Sequence, residues 1–139
     1  MRFWDSSALV PLLVAETDTA KRTAQLREDS TLTVWWGTIL ECESALQRRF
    51  RDGSLSSSDA AQARAHLSRL AASWLEVTPS VAVRRLATRL LRTHPLRTAD
   101  SLQLAAALSL REAGVQPLCF LTSDTRLAEA ADIEGLTLQ

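Results

Sequence analysis

Two rhythms of apolar and polar positions run along the chain, and the points where one gives way to the other predict its elements. Arg2 to Asp5 reads as a short strand that passes at once into an apolar helix, Ser7 to Ala15. Thr17 or Asp18 can cap a second helix ending near Glu28, and the β-branched and aromatic run Leu32 to Trp36 predicts a second strand. A third helix opens at Gly37 and Thr38 and runs to Asp52, where Gly53 stops it. Ser56 followed three residues later by Asp59 has the form of a capping box, and Ala60, Ala63, Leu67, Leu70, Ala71 and Trp74 make one helical stripe behind it.

Leu75 to Thr78 predicts a third strand, broken by Pro79 and Ser80. The following helix is apolar along Val83, Leu86, Ala87, Leu90 and Leu91, with Arg85, Arg89 and Arg92 on its other side. Thr98 is read as the cap that starts a helix reaching Ala113 and ended by Gly114. Its residues Leu102, Leu104 to Leu108 and Leu110 leave almost no polar side, so it should be buried. Leu118 to Thr122 predicts a fourth strand, Asp124 to Ala131 a short helix, and Leu136 to Leu138 an edge strand. Strands separated by helices imply a parallel sheet of four to five strands covered on both faces, a three-layer α/β/α fold. With 139 residues, a single domain over 1–139 is expected.

Composition narrows the function classes. No apolar run approaches the ~20 residues that cross a bilayer, and Met1 to Asp5 lacks the features of a signal peptide, so a cytoplasmic protein is expected, without a membrane partner. Lys and Arg together number 16, as do Asp and Glu, and a formal net charge of zero argues against a protein that coats nucleic acid with a broad basic face. Lys21 is the only lysine. Cys42 and Cys119 lie in apolar segments outside any ligand-spaced pair and are expected to be reduced and buried, and His66 and His94 share no motif, so zinc is not expected.

The candidate chemistry lies in four acids, Asp5, Glu41, Asp100 and Asp124, each placed where a strand ends or a helix opens. Each has an ordinary role available. Asp5 and Asp124 can cap helices, while Asp100 and Glu41 suit the positive end of a helix dipole. Together they say more, because the carboxyl ends of parallel strands share one edge of the sheet, where open α/β folds place their chemistry. Carboxylates a few ångströms apart repel one another, and a hard cation removes that repulsion. An oxygen-only set points to Mg²⁺, with Mn²⁺ as the other choice, and hydrolysis of a phosphodiester is the reaction such a site suits.

Four segments carry a resemblance over the whole chain. MRFWDSSALV (1–10), LECESAL (40–46), RTADSLQLAAAL (97–108) and TSDTRLAEAA (122–131) resemble the acid-bearing segments of the PIN-domain ribonucleases, and more narrowly the VapC-type toxins of toxin-antitoxin pairs. The resemblance implies that Asp5, Glu41, Asp100 and Asp124 form a catalytic tetrad, with Asp5 and Asp100 as metal ligands and Ser7 supporting the first acid. It implies a Mg²⁺-dependent endoribonuclease that is a homodimer, acts on RNA, and is neutralised by a cognate small antitoxin protein. Glu41 and Glu43, two apart on a helix, point about 200° from each other, so only one can face the site; Glu41 matches the family segment.

Other features remain open at this level. Arg48, Arg49 and Arg51, like Arg85, Arg89 and Arg92, suit either an RNA backbone or a solvated face. Trp35 and Trp36 must point to opposite faces of their strand, one into the core and one to a rim or interface. A phospho-accepting receiver would need a lysine near the pocket and an acid pair after the first strand, and an Asp-x-Asp phosphatase would need an acid where Ser7 stands. A silent module of the same fold that binds antitoxin or RNA without cutting is the alternative that sequence leaves standing.

Overall fold

The computed structural model describes residues 1–139. Five short parallel strands, β1 (Arg2–Trp4), β2 (Thr33–Trp35), β3 (Leu75–Val77), β4 (Cys119–Leu121) and β5 (Thr137–Leu138), form one sheet in the order β3-β2-β1-β4-β5. Seven helices complete the chain: α1 (Ser6–Leu13), α2 (Thr19–Glu28), α3 (Thr38–Arg51), α4 (Ser57–Ala71), α5 (Val81–Thr93), α6 (Thr98–Glu112) and α7 (Thr125–Ile133). No helix is long and apolar enough to cross a membrane.

Alternation along the strands splits the core into two layers. Phe3, Trp35 and Phe120 join the apolar stripes of α5, α6 and α7 on one face. Trp4, Val34 and Leu121 join those of α1, α3 and α4 on the other. The register sets Phe3 beside Phe120 across the β1–β4 pair, with their rings stacked at 5.6 Å. The expected three-layer arrangement is therefore the observed one, and β1 lies centrally with β4 as its neighbour.

Three local readings need correction. Leu91 is 43% exposed, because the buried stripe of α5 runs Val83, Leu86, Ala87, Leu90 and Leu91 sits a hundred degrees round the helix from Leu90. The cap of α6 is Arg97 rather than Thr98, with Asp100 Oδ2 accepting from the Arg97 backbone N–H at 3.3 Å. Cys119 is only half-buried on β4, whereas Cys42 is fully buried and its thiol pKa is pushed up to about 12 by burial.

The apolar layer of α5, α6 and α7 is tied together at its edge by Glu134. Its carboxylate accepts from Arg89 Nη1 and Nη2 at 2.8 and 2.7 Å and faces His94 Nε2 at 2.8 Å. The Arg89 hydrogen bonds pull the Glu134 pKa from 4.5 down to about 2 against the effect of burial, with His94 assisting. A carboxylate held below its unfolded value stabilises the fold above pH 4.5 and loses that contribution as pH falls toward 2. Because Arg89 remains partly exposed, the contribution is discounted to about 1–2 kcal/mol. Chemical denaturation followed down this window should show Glu134→Gln losing less stability than the parent protein; equal acid sensitivity would contradict the assignment.

Candidate active site

β1 ends at Trp4, and the next residue, Asp5, has extended backbone and caps α1. Its carboxylate is 3% exposed, yet it lines a cavity of about 530 Å³. Oδ2 accepts from the Ser7 backbone N–H at 3.1 Å, from Ser7 Oγ, and from Thr122 Oγ1 at 3.0 Å, while Oδ1 has only Ser6 Oγ at 3.4 Å. One oxygen is thus saturated by protein donors and the other is nearly free. Burial raises the Asp5 pKa despite those hydrogen bonds.

Glu41 reaches the same cavity from the first turn of α3. Oε2 accepts from Ser6 Oγ at 2.9 Å and Oε1 from Gln103 Nε2 at 3.0 Å. Ser6 therefore bridges the first two acids. Burial lifts the Glu41 pKa from 4.5 to about 7; the Ser6 hydrogen bond opposes this and the charge of Asp5 adds to it. Glu43 points elsewhere, with its carboxylate on Arg64 Nε at 3.1 Å, so it is Glu41 that faces the cavity.

Asp100 and Asp124 line the same cavity, brought there by the starts of α6 and α7. Asp124 Oδ1 caps α7 by accepting from the Leu127 N–H at 2.9 Å. The Asp100 pKa is raised by burial, offset by the Arg97 N–H and reinforced by Asp124. All four predicted acids therefore meet at one cavity, and none of them is in a salt bridge. Neighbouring strands β1 and β4 account for the meeting of Asp5 and Asp124.

The donor set suits a hard divalent cation. It is oxygen-only and deficient in positive charge, and Asp5 presents an oxygen that no strong protein donor occupies. As the side chains stand, no three or more His, Cys, Asp or Glu groups are gathered tightly enough to hold one ion. Asp100 and Asp124 are each partly engaged in a helix cap, which accounts for some of that spread.

Four supporting residues were not read from the sequence. Ser6 lies beside the expected Ser7, and Thr122 precedes Asp124 by two in the TSD run. Gln103 is 0% exposed and is one of only two polar groups in the buried part of α6, an interruption that could have marked it. Arg22, 1% exposed on α2, donates to Thr122 O at 2.6 Å and Ser123 Oγ at 3.0 Å, and so fixes the turn from β4 to α7. Nothing in its spacing separates it from the surface arginines. Of the tryptophans, Trp35 is core and Trp36 is 49% exposed.

Comparison with known proteins follows from this geometry. The PIN domain family model matches residues 2–133. Among solved structures, PAE2754 from Pyrobaculum aerophilum shares 21% identity, covering 99% of this chain and 87% of the other at a TM-score of 0.69. VapC20 of Mycobacterium tuberculosis, described as a sarcin-ricin loop cleaving toxin, shares 18% identity over 94% of this chain and 95% of its own, with a TM-score of 0.67. VapBC-5 of the same organism, described as a member of the VapBC family of toxin-antitoxin systems, shares 17% over 99% and 94%, with a TM-score of 0.60. At such identities the likeness is one of fold. No curated protein matches the chain significantly.

Proposed function

The chain belongs to the PIN domain family, and from that premise we propose that it is a Mg²⁺-dependent endoribonuclease, the toxin of a toxin-antitoxin pair, with Asp5, Glu41, Asp100 and Asp124 as its catalytic set. The observation that carries the reading is the convergence of these four acids, unpaired by any cation, on one cavity at the carboxyl ends of β1 and β4. Asp5 and Asp100 would hold the ion, which when bound neutralises phosphate charge and makes a water more acidic.

The remaining work falls to the chain itself. Ser7 and Thr122 fix the Asp5 carboxylate through one oxygen and leave the other for the site. Ser6 and Gln103 hold Glu41 from two sides. Held in that position at the cavity wall, Glu41 is placed to exchange a proton with an attacking water. No covalent nucleophile is needed in this scheme. A toxin role, and with it an antitoxin partner, draws support from the fold likeness to a protein described as a VapC toxin and to a member of the VapBC family of toxin-antitoxin systems; a homodimer is part of the same proposal.

A single assay tests the reading: purified protein is incubated with RNA in Mg²⁺ and in chelator. Cleavage is expected only with the ion. Cleavage that persists in excess chelator would remove the metal from the proposal, and no cleavage of any RNA under either condition would favour the silent binding module. That second reading has one feature in its favour, namely that no three acids stand within reach of a single ion.

A further inference from the structure

The arginines divide by what they touch. Arg49, Arg64, Arg85 and Arg89 are held by Glu16, Glu43, Glu112 and Glu134. Arg48, Arg51, Arg97 and Arg126 are exposed and have no acidic partner within salt-bridge distance, as is also true of Arg27, Arg69, Arg84 and Arg92 elsewhere on the surface. The first four flank the acidic cavity, in two further depressions that adjoin it and share lining residues with it. On the α3 side, Ser44 and Arg48 belong both to the acidic cavity and to the next depression, which Gln47, Arg51 and the exposed Asp52 complete, two arginines to one acid. On the other side, Asp100 and Asp124 are likewise shared with a depression completed by Pro95, Arg97, Thr125 and Arg126. The result is one trough, basic at both ends and acidic in the middle.

We propose that this trough is the path of a single RNA strand, with Arg48 and Arg51 taking phosphates on one side of the scissile bond and Arg97 and Arg126 on the other. The inference rests on the ribonuclease reading above and assigns its substrate contacts. Two physical points favour it over a general surface charge. Guanidinium forks bind phosphate oxygens well, and these four spend no hydrogen bonds on carboxylate partners. The Asp5 carboxylate lies below the surface in a cavity of about 530 Å³, which admits a nucleotide or two but not the width of a duplex. The exposed arginines of α5 line a separate depression that shares no residue with the trough, so they fall outside the path. A protein of zero net charge can hold RNA in this way because a few arginines beside the cavity suffice to meet the phosphates of a short strand.

The test measures binding apart from cleavage. A labelled short single-stranded RNA of mixed sequence is titrated in chelator against the Asp5→Asn protein over a range of salt. The same titration is made with Arg48→Ala, Arg51→Ala, Arg97→Ala or Arg126→Ala added to it. Each of the four should weaken binding several-fold at low salt and flatten the plot of log affinity against log salt by about 0.7. Arg85→Ala and Arg92→Ala, on the excluded face, should leave both unchanged. Unaltered slopes for the four, or equal losses for the two controls, would overturn the path. Failure of the wild-type protein to cleave RNA in Mg²⁺, with the four losses still present, would sink the nuclease reading and leave the path standing.

Discussion

Replacing Asp5 with asparagine is expected to lower RNA cleavage in saturating Mg²⁺ by roughly 10²- to 10⁴-fold, the several kcal/mol of charge stabilisation that a displaced catalytic ion represents. The substitution is nearly isosteric. Oδ1 of the asparagine can take the place of the carboxylate oxygen that accepts from Ser7 and Thr122, with its amide turned to the side where only Ser6 approaches. The cap on α1 is therefore kept, and the far-UV circular dichroism should not change. Around this central loss the neighbours should fall in order. Ser7→Ala removes one of the donors that orient Asp5 and should cost about 10- to 100-fold, as outer partners of metal ligands do. Glu41→Gln should approach the Asp5 loss. Glu43→Gln breaks only an exposed pair with Arg64, a change of about 0–1 kcal/mol in stability, and should cleave at nearly the parent rate. Asp5→Asn protein that still cleaves at a tenth of the parent rate or more would refute the assignment.

How far these residues could be found beforehand depended on whether their signal was local. Asp5 and Asp124 were legible because each stands where a strand rhythm stops and a helix begins, and a parallel sheet sends such junctions to one edge. Glu41 over Glu43 followed from helical geometry together with the family segment. The strand order was less accessible, since the pattern gives the succession of elements and not their pairing. Gln103 and Arg22 stayed hidden because their importance comes from contacts across long stretches of sequence, to Glu41 and to the turn at Thr122. The interruption that Gln103 makes in an apolar helix marks it as unusual without naming its partner, and one arginine among many looks the same whether buried or exposed. The arginines make the same point. Their residue type was plain in the sequence, but only the folded chain shows that Arg48, Arg51, Arg97 and Arg126 line depressions beside the acids while the arginines of α5 line a separate one.

The same electrostatics that serve the site should weaken the metal-free fold, and the direction can be worked out. A carboxyl whose folded pKa lies above its unfolded value is favoured in its protonated form by folding. Glu41, lifted from 4.5 to about 7 chiefly by burial, then costs nothing below pH 4.5, a growing amount between 4.5 and 7, and its full penalty above that. The full penalty is roughly 3 kcal/mol. Asp5, also raised by burial, acts in the same sense. Glu41→Gln keeps the neutral shape at every pH. Its amide oxygen still accepts from Gln103 Nε2, and its amide N–H can donate to a rotated Ser6 hydroxyl. In chelator above pH 7 this variant should melt roughly 10 °C higher than the parent protein, and near pH 4.5 the two should coincide. Adding Mg²⁺ should raise the melting temperature of the parent and narrow the gap, since an ion bound only by the folded state offsets the repulsion that the variant has lost. The window is separate from that of Glu134, whose contribution disappears only below pH 4.5, so the metal-free parent should be most stable at mildly acid pH. A Glu41→Gln protein that melts lower than the parent in chelator above pH 7 would mean that Glu41 is held as a satisfied structural carboxylate, and the case for a cation-deficient catalytic cavity would fail with it.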